Sequence, residues 1–173
     1  MSDPYRDERA DALRRRYHAA FAGAELPVPV EAIAEDLLGL KVDEEIELPV
    51  SGMLVPARRE VWLNARESRE SPGRRRFTLA HELGHWVCQC REGKAAGAAP
   101  VYCRAEEIGV DPDARALERE ANVFAAELLM PEPEVRAAWS GDVAAAARVF
   151  GVSAEAMHWR LYSFGLATSP ATR

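Results

Sequence analysis

The chain has 173 residues, 48% of them hydrophobic, which suffices for one sizeable core and a single domain over 1–173. A net charge of −6 argues against a generally basic surface, so direct nucleic-acid binding is not expected. No run approaches the ~18–20 apolar residues of a membrane span, and the N-terminus is too charged for a secretory signal, so a cytoplasmic protein with no membrane partner is expected.

Asp3 to Phe21 has helical spacing through Leu13, Tyr17, Ala20 and Phe21, giving an N-terminal helix within 1–24. The core is expected over 25–165, with 166–173 as a tail. Glu31 to Leu38 forms a second short helix closed by Gly39. The period then changes to alternation. Leu40-Lys41-Val42, Ile46-Glu47-Leu48, Gly52 to Pro56 and Glu60 to Asn64 carry strand signals, with Ala57-Arg58-Arg59 as a turn. A small three-stranded antiparallel sheet is expected ahead of the next helix.

That helix runs from Arg74 to Val87 and is apolar on most sides, which predicts burial. It carries His81-Glu82-Leu83-Gly84-His85, two of the chain's four histidines. A helix turns about 100° per residue, so the imidazoles of His81 and His85 share one face, one turn apart. They can meet one metal ion. Glu82 points about a quarter turn away, where it misses the metal but can serve as a general base. The pattern fits metal-assisted hydrolysis.

After a Gly/Ala-rich connection over Arg91–Asp113, a helix is expected from about Ala114 to Met130, ended by Pro131. Catalytic zinc sites commonly have three protein ligands, and no third histidine lies nearby. This helix offers Glu118, Glu120 and Glu127. Rotation places Leu117, Ala121, Phe124 and Leu128 on the buried face, Glu118 at its edge, and Glu120 and Glu127 on the far side. Glu118 is the expected third ligand. Asn122, one turn on, is placed to orient a ligand from behind. Ala121 and Ala125 permit close approach of the two helices.

Asp142 caps a short helix through Phe150, and Ser153 caps a last one toward Gly165. Their spacing has helix-turn-helix length, but Arg160 is the second helix's only strong basic contact. Arg14-Arg15-Arg16 and Arg74-Arg75-Arg76 are expected to be solvated faces. Three cysteines, Cys88, Cys90 and Cys103, suit a reducing compartment and small core positions. Tyr102 and His158 are candidate oxyanion donors.

Two stretches carry a family likeness. Arg76-Phe77-Thr78-Leu79-Ala80-His81-Glu82-Leu83-Gly84-His85-Trp86 and Glu118 to Pro131 together resemble the ImmA/IrrE metallopeptidases. The likeness spans roughly 25–165. The resemblance implies a gluzincin-like, zincin-type α+β fold with His81, His85 and Glu118 on one Zn2+ and Glu82 as base. Manganese suits the same donors. The resemblance also implies limited proteolysis of a helix-turn-helix repressor. The alternative from the residues themselves is a non-catalytic, metal-stabilised regulatory binding module.

Overall fold

The computed structural model describes residues 6–21, 26–90, 101–102 and 112–168. Helix α1 spans Glu8–Phe21. Helix α2, Val30–Ala32, continues through a wider π turn, Ile33–Leu37. Strands β1 (Lys41–Glu45), β2 (Gly52–Val55) and β3 (Glu60–Asn64) follow. Helix α3 is Ala65–Glu70, and α4 is Pro72–His85, prolonged by a π turn over Trp86–Cys90. Strand β4 is Val101–Tyr102. Helices α5 (Pro112–Leu129), α6 (Glu132–Ala138), α7 (Val143–Phe150) and α8 (Ala154–Ser163) complete the described part.

The expected α+β class holds, but the sheet differs from a three-stranded antiparallel one. Four strands lie in the order β1-β3-β2-β4. β1 pairs with β3 in parallel, Val42 opposite Val61, whereas β2 is antiparallel to both β3 and β4. Ile46 and Glu47 form a turn after β1 rather than a strand. β1 therefore lies at one edge of the sheet beside β3, and the chain passes from β1 to β2 across β3 and not through a hairpin.

Alternation works as expected in β2 and β3. Leu54, Val61 and Leu63 point inward and are fully buried. They share one buried core with Leu79 and Leu83 of α4 and with Phe124 and Leu128 of α5. The local signals act where they stand. Asn64 Oδ1 accepts from the amides of Arg66 and Glu67, 3.0 and 3.1 Å away, and starts α3. Ser71 Oγ caps α4, which has Pro72 in its first turn. Asp142 and Ser153 cap α7 and α8 as anticipated.

The arginine runs are not solvated throughout. Arg75 pairs with Glu31 and Glu44, and Arg76 donates to the Val28 carbonyl at 2.7 Å. Arg14 is buried and donates to the Glu127 carbonyl at 2.8 Å. Glu127 itself is buried, contrary to its outward rotational position, because Arg160 of α8 forms an ion pair with it. Arg160 Nε also donates to the Met130 carbonyl at 2.9 Å. Three buried charges thereby tie α1, α5 and α8 together. No helix among the described residues is long and apolar enough to cross a membrane.

Candidate metal centre

Helices α4 and α5 run antiparallel, as three contacts along their seam show. Gln89 touches Leu117, Gly84 touches Ala121, and His81 touches Asn122. The approach is tight at the middle contact. A β-carbon on Gly84 would stand 2.9 Å from the Ala121 Cα, so only glycine lets the helices close to this distance. The closeness brings the Glu118 carboxylate to both histidines.

His81 Nε2 lies 3.1 Å from Glu118 Oε2, and His85 Nε2 lies 3.2 Å from Glu118 Oε1. The two Nε2 atoms are 3.0 Å apart. His81, His85 and Glu118 are thus a group that could hold a metal ion, with donor atoms all within 4.8 Å of one another. Donors about 2.0–2.1 Å from a shared tetrahedral centre stand about 3.3 Å apart, so the triangle has the right edge.

The protonation pattern points the same way. Gln89 Nε2 donates to the Leu117 carbonyl at 2.9 Å, which turns Gln89 Oε1 toward His85. His85 Nδ1–H donates to that oxygen at 2.7 Å. His81 Nδ1–H donates to Asn122 Oδ1 at 3.0 Å. Each imidazole therefore presents a bare Nε2 lone pair, facing the carboxylate. Three electron-rich donors converging this closely suit a cation, and two imidazoles with one carboxylate suit zinc or manganese. Without a metal, a proton competes for the place. Burial lowers the His85 pKa, but Glu118, Glu82 and Gln89 outweigh it and hold it above the ordinary imidazole value. Burial raises the Glu118 carboxyl, and the two histidines more than reverse that, holding it at about 2.

Glu82 is fully buried beneath the start of β2. A β-carbon on Gly52 would come within 2.7 Å of Glu82 Oε1 and 2.6 Å of Thr78 Cγ2. The strand backbone can lie over Glu82 because position 52 has no side chain. Asn122 lies at His81 Nδ1, on the side of the ring away from Nε2. Gln89 was missed. Its signal was an amide one helical turn after His85, beyond the expected helix end. Gly52 was also missed as a site residue.

Of the remaining candidates, His158 Nε2 donates to the Thr168 carbonyl at 3.1 Å. Cys88 is buried and Cys90 half-buried, neither in a disulfide among the described residues, and burial pushes the Cys90 thiol up. The side chain of Tyr102, and Cys103, lie outside the described residues.

A solved structure of a Mycobacterium tuberculosis transcriptional regulator superposes with a TM-score of 0.63 at 24% identity, covering 92% of this chain and 48% of the other. That likeness is one of fold, and the chain spans about half the length of the structure it matches. No curated protein matches the sequence. The signature of the Peptidase_M78 family, described as the IrrE N-terminal-like domain, matches residues 49–162. That stretch takes in the sheet from β2 onward, the His81–His85 helix and Glu118, and by it the chain belongs to the Peptidase_M78 family.

Proposed function

We propose that the protein is a zinc-dependent endopeptidase that performs limited proteolysis, with a helix-turn-helix transcriptional repressor in the cytoplasm as its substrate. The observation that carries the proposal is the convergence of His81, His85 and Glu118 beside a buried Glu82. Family membership supports the peptidase activity. The name of the structural neighbour, a transcriptional regulator, supports a place in gene control.

His81, His85 and Glu118 would hold the ion. When bound, zinc supplies a Lewis acid that polarises the scissile carbonyl and makes water a nucleophile near neutral pH. Glu82, kept off the donor triangle by its place on the helix, takes the proton of the attacking water on its carboxylate. It then returns that proton to the departing amine. Asn122 and Gln89 keep both rings in the tautomer that leaves Nε2 free. A site that merely stabilised the fold would need no buried base at position 82.

The test is Glu82→Gln. The zinc-loaded variant should keep one zinc per chain and lose cleavage of a repressor encoded beside this gene by about 100-fold or more. Zinc retention with unaltered regulatory function would favour the binding-module alternative instead.

A further inference from the structure

The seam that holds the metal residues does not close beyond them. Toward the N-terminus of α4 it opens into a groove of about 710 Å³, with α8 as its far wall. Asn122, which holds His81 Nδ1, lines the groove, so groove and candidate metal centre share a side chain. From there Phe77, Ala126 and Met130 continue the lining. Phe77 precedes His81 by one turn and Arg74 by two, about 6 and 10 Å along the helix axis. An extended chain advances about 3.3 Å per residue, so this length accommodates two or three residues leading away from the metal.

Two features of the wall indicate what occupies it. Trp159 and Tyr162 are 51% and 43% exposed, and they brace each other edge to face with ring centres 6.0 Å apart. Exposed aromatic side chains beside a concave apolar lining mark a binding surface. The charges nearby do not favour either sign. Arg160 is tied to Glu127 and Arg74 to Glu67, and the other charged lining residues, Arg119 and Glu155, are of opposite sign. A neutral apolar occupant fits that balance.

We infer that this groove binds the substrate chain on one side of the scissile bond and selects a large apolar side chain two or three residues from the cut. The inference rests on the peptidase reading above and adds to it the sequence preference of the substrate. Trp159 and Tyr162 grip that side chain from α8, and Phe77 and Ala126 form its floor. The helix pair that would hold the metal thereby also holds the residues that recognise the cleavage sequence.

The test reads binding, not turnover. Zinc-loaded protein is titrated calorimetrically with triglycine hydroxamate and with tripeptide hydroxamates carrying one Leu, Phe or Asp at each position, made in both chain directions. In one direction, Leu or Phe at the second or third position should tighten binding by about tenfold or more over glycine, with Asp giving no gain. Trp159→Ala, and separately Ala156→Trp to fill the groove, should each remove most of that gain, with circular dichroism confirming the fold. A flat response within about twofold at every position, or a gain that survives both variants, overturns the inference and leaves the metal reading standing. Failure of every hydroxamate to bind, triglycine included, overturns the metal reading and this one with it. A dimer in light scattering that Trp159→Ala dissociates would make the groove a self-interface and also overturn it.

Discussion

Gly84 lies flush against the backbone of Ala121, close enough that a methyl group there would meet the Ala121 Cα and carbonyl oxygen at 2.9 Å each. The obstacle is main chain, which cannot rotate aside as a flexible side chain can. Glycine inside a helix costs about 1 kcal/mol against alanine. That local loss is offset by the approach of α5, which carries Glu118 to the two imidazoles.

Gly84→Ala should therefore destabilise, although helix propensity alone favours alanine. The overpacking cost of about 1–3 kcal/mol exceeds the propensity gain. Glu118 should withdraw and zinc stoichiometry should fall. Thermal denaturation with parallel metal analysis checks this. A higher melting temperature with one zinc per chain would contradict it.

Gln89→Leu keeps the volume but removes the oxygen that accepts from His85 Nδ1. The ring would then be free to change tautomer and turn. Zinc affinity should drop about 10–100-fold, with Asn122→Ala acting similarly through His81. Competition with a chromogenic chelator measures both.

Gly52→Ala presses a methyl group onto Glu82 Oε1 and Thr78 Cγ2. It should leave zinc bound yet reduce kcat about tenfold to 100-fold, since a misplacement of about 1 Å can cost that much. The shorter acid in Gly52→Ala/Glu82→Asp should recover part of the loss relative to Glu82→Asp alone. Equal losses in both backgrounds would show that position 52 acts elsewhere.

The effect of zinc on stability should grow with pH. In the metal-free protein His85 has a raised pKa. Its contribution is complete below the ordinary imidazole value of about 6.5 and is lost as pH rises through the raised one. Glu118, held at about 2, stays ionised throughout and sets no slope in this range. Zinc must displace the proton on His85, so its binding strengthens as that proton leaves. From about pH 5 upward the zinc-induced rise in Tm should increase, and above about pH 6.5 the metal-free Tm should decline. Melting curves at matched ionic strength decide it.

The candidate site was largely legible in the sequence because helical geometry is local. Spacing alone put His81 and His85 on one face, rotation preferred Glu118 to Glu120 and Glu127, and Asn122 followed as the polar residue one turn on. Gln89 escaped notice because a π turn extends α4 past its expected end. Glu127 was misjudged for a different reason. Rotation counts neighbours on its own helix, whereas Arg14 and Arg160, which share its burial, come from elements 113 and 33 residues away. The parallel pairing of β1 was equally hidden, since Lys41–Glu45 carries a single apolar residue, Val42, and a strand's own residues do not record which strand lies alongside.

The Arg14–Glu127–Arg160 cluster sets a limit on where the polypeptide can be shortened. Glu127 sits nine residues after Glu118 on the same rod, so removing everything through Arg14 would strip one cation from the carboxylate and leave the Glu127 carbonyl without its guanidinium donor. An uncompensated charge of that kind loosens the whole helix and not merely its end. Removal of the chain through Arg14 should therefore lower both the melting temperature and the zinc stoichiometry. Helix α1 is part of the frame that holds α5 beside the candidate metal centre.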